Sequence, residues 1–352
     1  MPDLLLVGAG HAHLYVVKHA GELRAAGYRV QLLAPRFFDY SGVASATAAG
    51  ALSSDAGRID VRSLASASSV EFHEGTLESL DPETRIAVTS DGDHLYYDVL
   101  SVKIGSVVAP AGMHVHPAVL RVKPLSGLAD LDARLRASGQ QGATVTVVGG
   151  GASGLELAAH LSVRSDVVQI RLVESGTIIG AGLPEGARKR IVRLLATRGV
   201  AVRTGCVVRD LGERQLVCED DTEMSHDVAL LATGLTAPPL LAEVGLGDGH
   251  GVPVRATLQH VGRDDIYAVA TVRGSSRVRC PVSACTGCGK DLCCSAACSR
   301  GFGETLFPCT SRSAVHCRFS ISVTASVWLS GGAGGGTAPV LCDSSGTSID
   351  GG

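Results

Sequence analysis

Twice in this sequence a short apolar run is followed at once by a glycine turn and then by a stretch with helical spacing. Residues 4–7 (LLLV) lead into Gly8 and Gly10, and residues 144–148 (TVTVV) lead into Gly149, Gly151 and Gly154. A strand, a tight glycine turn and a helix packed back on the strand form the first half of a βαβ unit. Such units pair their strands in parallel, which commits the chain to an α/β fold. The pattern recurs after about 140 residues, which fits two domains of roughly 150 residues each.

In the first unit the next strand is expected at 28–33. Residues 71–86 and 94–102 alternate enough to predict antiparallel strands, with Asp91-Gly92 as a hairpin turn. In the second unit a strand is expected at 169–174 and a helix at 184–198, stopped by Gly199. Short strands are expected near 200–203, 214–219 and 227–231. Residues 126–136 read as a helix leading into the second unit.

The second turn carries the clearer chemistry. In Gly149-x-Gly151-x-x-Gly154 the first glycine permits the tight turn. The second lets backbone approach a pyrophosphate, and the third lets helix and strand pack closely. The helix start then presents free N–H groups to the phosphates. Glu174 ends the next strand, 25 residues after Gly149. Its carboxylate can accept from a ribose 2′-hydroxyl and would repel a 2′-phosphate, which points to NADH over NADPH.

The first turn, Gly8-x-Gly10-x-x-His13, has a histidine where the third glycine belongs, and Ala34-Pro35-Arg36 where an acid belongs. The glycine pattern alone leaves its ligand open. His11 and His13, like His114 and His116, read as capping or packing residues, and no metal site is expected. Cys206 and Cys218 are not spaced as a redox pair, and no Ser-His-Asp set emerges from spacing. No catalytic residue is therefore assigned. The chemistry falls to the cofactors, which the protein places against each other.

Composition narrows the partners. The net charge is -3, so no broad basic field invites nucleic acid. No uninterrupted apolar run reaches the roughly 18–20 residues a membrane helix needs. The start does not read as a signal peptide, so a cytoplasmic location is expected, with peripheral membrane contact open.

The opening LLLVGAGHAHLYVVK, the stretch DYSGVASATAAG and YDVLSVKIGS resemble the pyridine nucleotide–disulfide oxidoreductase superfamily. The resemblance is to the branch of type II NADH dehydrogenase-like proteins and the flavoprotein domain associated with selenide, water dikinase. It spans about residues 3–269. It implies two Rossmann-like domains: a FAD domain from 1–110 and 235–270, with a NAD(P)H domain at 111–234 inserted. In that branch a histidine at the third position of the first turn is a common trait. The resemblance places Gly8, Gly10, Ala12 and His13 along FAD. It places Pro35, Ser41 and Gly42 near the adenosine or flavin side, and Gly105 and Ser106 in the returning turn. Gly149, Gly151, Ser153, Gly154, Glu156 and Glu174 would serve NAD(H). Ala232-Thr233-Gly234 matches the turn where the chain returns to the FAD domain. Lys103 reads as a solvated charge. The activity the resemblance implies is hydride transfer from NADH to FAD and then electron delivery to an acceptor, for which it suggests a quinone.

The resemblance breaks after residue 269. The family has Gly-Asp there, the Asp bonding the ribityl chain of FAD, whereas this chain has Ala270 and Thr271. Nine of its eleven cysteines lie between Cys280 and Cys342, and the end is rich in Gly, Ser and Thr. Codons can be chosen so that reading one base earlier from Val269 restores Gly-Asp and an amphipathic helix. Residues 271–352 therefore read as an aberrant low-complexity tail, with the frame shifted by a one-base deletion. The irregular spacing of Cys285, Cys288, Cys293, Cys294 and Cys298 does not predict zinc. Such a tail predicts weak FAD retention. Two alternatives stay open: a nucleotide-binding domain without turnover, acting as a sensor or partner of another enzyme, and an inactive frameshifted product.

Overall fold

A computed structural model describes residues 1–128, 130–138, 142–269 and the backbone of 272–274. The described residues all fall within the unit Met1–Leu306. Residues 275–352, on which most of the aberrant-tail reading rests, lie outside the described residues, as do Ala270 and Thr271.

Two five-stranded parallel sheets carry the fold. The first runs Ile266–Ala268, Val99–Val102, Asp3–Val7, Arg29–Ala34, Glu71–Glu74. The second runs Leu120–Arg121, Val228–Leu231, Ala143–Val148, Val167–Val173, Ala201–Arg203. The orders correspond strand for strand, with the glycine-turn strand central in both. These central strands are buried on both faces, which is why they read as continuous apolar runs rather than alternating ones.

Within the first central strand the side chains divide by parity. Leu5 and Val7 pack with Leu33, Leu100, Ile266 and an antiparallel layer that supplies Leu80 and Leu95. Leu4 and Leu6 pack on the other side with Val16, Val17, Val61 and Ala65 from two helices. Successive strand side chains point to opposite faces, so one run of four apolar residues serves two cores.

The helix His11–Lys18 follows the first turn and Ala152–Leu161 follows the second, with Gly10 and Gly151 as their N-caps in extended conformation. The helix Glu185–Thr197 ends before Gly199 at φ 71, the left-handed position glycine takes without steric cost.

Residues 71–86, expected to be antiparallel, hold two strands and the start of a third. Glu71–Glu74 joins the parallel sheet, and Leu77–Asp81 pairs antiparallel with Ile86–Thr89. Ile86–Thr89 and His94–Tyr96 form the expected hairpin, and Gly92 has φ 86. Val99–Val102, by contrast, joins the parallel sheet. Alternation alone does not reveal where a strand changes sheets. The helix expected at 126–136 is divided into a 3-10 turn, Leu125–Leu128, and an α-helix, Leu131–Ala137. Beyond residue 270, Val272–Gly274 pairs in parallel with Val252–Val254.

Cys206 and Cys218, not expected as a pair, are joined in a disulfide. The ladder aligns Val208 with Cys218, and both cysteines are buried. Spacing missed the bond because the antiparallel sheet, not local sequence, brings them together.

Candidate functional site

The two turns are built alike. Gly8 N–H donates to Leu33 O and Gly149 N–H to Val173 O, both at 2.8 Å. Each first glycine has positive φ, 90 for Gly8 and 113 for Gly149. Each is also covered by backbone returning from the neighbouring strand. A Cβ at Gly8 would overlap the Lys103 carbonyl oxygen, and one at Gly149 would sit 2.5 Å from the Ala232 carbonyl oxygen. Conformation and contact each require glycine there.

At the second turn the three glycines divide the work. A Cβ at Gly154 would overlap the Gly149 carbonyl oxygen, so this glycine lets the helix close on the turn. A Cβ at Gly151 would meet nothing within 4 Å, which leaves open space at the start of Ala152–Leu161. Exposed Ser153 lies in the first turn of that helix. The Glu174 carboxylate accepts from Gly150 N–H at 2.6 Å and Gly176 N–H at 2.8 Å. It thus braces the turn from the end of the next strand. An open cradle at a helix N-terminus beside a fixed carboxylate fits the pyrophosphate and ribose of a dinucleotide.

At the first turn His13 is fully buried. Its Nδ1–H donates to Gly8 O at 2.6 Å, and Nε2 accepts from Ser101 Oγ at 2.9 Å. Burial pushes its pKa down to about 3, so the ring is neutral, with the proton on Nδ1. Where the second turn closes by bare backbone contact, the first closes through an imidazole that ties turn, helix and strand together. Ala12 packs on Val269. The His11 ring meets Phe38 and Tyr40 edge-on at 5.1 Å each. Pro35 is exposed just after the second strand, and Ser41 and Gly42 lie in a 3-10 turn, Ser41–Val43.

Lys103 was expected to be solvated; it is 8% exposed. A Cβ on Gly10 would run into its side chain, at 2.7 Å from Cδ and 3.0 Å from Cγ. The obstruction over Gly10 is the far part of a flexible side chain.

Both units meet where the chain crosses between them. Val107–Val108 pairs antiparallel with Leu235–Thr236, Ala109 N–H donates to Gly234 O at 2.8 Å, and Thr233 Oγ1 donates to Ala109 O. Gly105 and Gly234 stand at equivalent places, one before each crossing strand. Beside them a cleft of about 210 Å³ brings together Ser41, Ser106, Ser153 and Glu156 with Ser45 and Lys123. Ser45 Oγ donates to Glu156 Oε1 at 2.5 Å. Burial lowers the pKa of Lys123. Arg164 clamps the same junction, donating to Ala48 O at 2.8 Å and pairing with Asp132 and Asp166 at 2.7 Å each. Sequence reasoning missed Ser45, Lys123 and Arg164, which carry no local motif. Among the described residues no group of three or more His, Cys, Asp or Glu is placed to hold a metal, and no helix is long and apolar enough to cross a membrane.

Residues 2–285 match the pyridine nucleotide-disulphide oxidoreductase family, and the chain belongs to it. FAD and NAD(H) are the cofactors that membership brings. Ferroptosis suppressor protein 1 of Taeniopygia guttata is 26% identical over 212 residues, 56% of each chain. The type II NADH:quinone oxidoreductase of Haemophilus influenzae is 26% identical over 141 residues, covering 36% of this chain and 32% of that protein. The chain thus spans about half or less of the length of these relatives. The ferredoxin reductase of the CYP199A2 system from Rhodopseudomonas palustris shares the fold, with TM-score 0.70 and 21% identity over 87% of this chain and 77% of that one.

Proposed function

We propose that the chain is a FAD-dependent NADH oxidoreductase that delivers electrons to a quinone. FAD lies along the first turn, in a domain of residues 1–110 and 235–270, and NAD(H) along the second, in residues 111–234. The observation that carries this reading is the cleft between the two turns. Ser41 and Ser106 reach it from the first unit and Ser153 and Glu156 from the second, so groups held on both turns meet there. Bound together, the two cofactors supply hydride transfer from NADH and onward electron delivery.

The chain's own residues bind and orient. Glu174, fixed by Gly150 and Gly176 N–H groups, receives the adenosine ribose. The Ser45–Glu156 bond and the Arg164 clamp hold the two units in register, and fixed geometry is what makes the transfer fast. Lys123, half-buried in the cleft, places a donor beside the reacting groups.

The quinone acceptor is supported by similarity to proteins named as a type II NADH:quinone oxidoreductase and a demethylphylloquinone reductase. With FAD added, NADH consumption is measured with and without a short-chain quinone. Quinone-dependent consumption well above that with dioxygen alone is expected. Equal rates would remove quinone as the acceptor and leave the flavin reading to be judged separately.

A further inference from the structure

The internal repeat allows the outer edges of the two parallel sheets to be compared residue by residue. Gly8 N–H bonds Leu33 O and Gly149 N–H bonds Val173 O, so the residues that follow, Ala34 and Glu174, are counterparts. Gly75 N–H donates to Ala34 O and Cys206 N–H to Glu174 O, each at 3.1 Å, so Gly75 and Cys206 are counterparts too. The equivalent places differ in two linked respects. The first unit has a methyl group at the strand end and a glycine outside it. The second has the Glu174 carboxylate at the strand end and, outside it, a cysteine tied by the Cys206–Cys218 disulfide. That tether leads into a separate sheet of His114–Val115, Val208–Leu211, Gln215–Cys218 and Glu223–Ser225.

We propose that the Cys206–Cys218 disulfide is a positioning device for Glu174 and thereby strengthens the preference for NADH over NADPH. This rests on the reading that Glu174 receives the adenosine ribose. Residues 203–206 hold the Glu174 backbone from outside. Glu174 N–H donates to Arg203 O and Gly205 N–H to Gly176 O, both at 2.8 Å, beside the bond from Cys206 N–H. The Glu174 carboxylate accepts from Gly150 and Gly176 N–H, so Gly176 joins the two sets of bonds. The strand leading into this segment, Ala201–Arg203, is three residues long, exposed, and at the edge of its sheet. A short edge strand with few buried contacts opens readily, and its motion would pass through these bonds to the carboxylate. The disulfide stops that motion at Cys206. Its other end, Cys218, is fully buried and donates its N–H to Thr222 O at 2.9 Å. A carboxylate that wanders loses part of its bond to a ribose hydroxyl and part of its repulsion of a 2′-phosphate, because both depend on distance.

The test measures NADH and NADPH affinity by nucleotide fluorescence in the full chain, well below its unfolding midpoint. The tether is cut by Cys206→Ala with Cys218→Ala, and by the corresponding Ser pair should the Ala pair fail to unfold cooperatively. Leu216→Ala, at a fully buried position in the same hairpin, lowers stability with the disulfide intact and separates positioning from general loosening. Cutting the tether should weaken NADH by about three- to eightfold and lower the NADH over NADPH affinity ratio by at least about threefold. Leu216→Ala should leave that ratio within about 1.5-fold of the parent. In a Glu174→Gln background, cutting the tether should lower the ratio no further, since the effect runs through the carboxylate. An unchanged ratio in a folded variant without the disulfide, an equal fall in Leu216→Ala, or additive effects with Glu174→Gln each overturn the proposal. If Glu174→Gln alone leaves the ratio unmoved, the ribose assignment falls and the proposal with it.

Discussion

Removing the carboxylate of Glu174 should reverse the nucleotide preference. The side chain fixes two backbone N–H groups, Gly150 at 2.6 Å and Gly176 at 2.8 Å, so its position at the ribose site is set before ligand arrives. A hydrogen bond to a charged acceptor contributes about 1.5–3 kcal/mol. Losing one to the ribose weakens NADH by about 10- to 150-fold. The 2′-phosphate of NADPH meets the opposite effect. Unit charges about 4 Å apart repel by about 4 kcal/mol at the effective dielectric of about 20 found near a protein surface, and Glu174 is half-buried. Glu174→Gln keeps the shape and removes that repulsion. Glu174→Arg adds attraction. The ratio of kcat/KM for NADH over NADPH should fall by at least about 100-fold in Glu174→Arg and by less in Glu174→Gln. Steady-state kinetics with both nucleotides, beside direct binding by nucleotide fluorescence, measures this. A ratio within about threefold of the parent in a folded Arg variant would refute the assignment.

Other consequences are equally open to measurement. His13 has its pKa lowered from 6.5 to about 3 by burial, so below pH 6.5 the unfolded chain takes up a proton that the folded chain refuses. Its contribution is intact above pH 6.5 and is lost towards pH 3 at up to about 1.4 kcal/mol per pH unit. Denaturant titrations should show that slope reduced in His13→Asn, and an identical slope would contradict the buried neutral ring. Replacing both Cys206 and Cys218 with Ser opens a loop of sequence separation 12, which should cost about 3 kcal/mol of stability. NADH oxidation should change less than tenfold, and a larger loss in a folded variant would place the disulfide in turnover. Inserting one base near codon 269 should raise the FAD that co-purifies with the protein, and unchanged FAD content would contradict the frameshift reading of the tail.

The turns were legible because what they require is local. A left-handed residue under returning backbone must be glycine, as at Gly149, and an acid at the end of the next strand, as Glu174, stands at a fixed distance along the chain. Parallel pairing followed from the same signal. The cleft was legible only in part. Ser41, Ser106, Ser153 and Glu156 were named from resemblance, but their convergence depends on the crossing of Val107–Val108 with Leu235–Thr236, which no run of sequence encodes. Lys103 was misread for a related reason. A charged residue after a strand is ordinarily solvated, and only the return of that strand over Gly8 buries it. The Cys206–Cys218 bond likewise depends on a sheet register that spacing does not express.

The central claim is that the two turns hold FAD and NADH within reach of each other. It is tested most directly by supplying the full chain with FAD, removing oxygen and adding NADH while the visible flavin absorption is followed. The account predicts that the band bleaches, complete at equimolar NADH to bound FAD, and that NADPH does this far more slowly. A protein that takes up FAD but keeps its colour with excess NADH would contradict it.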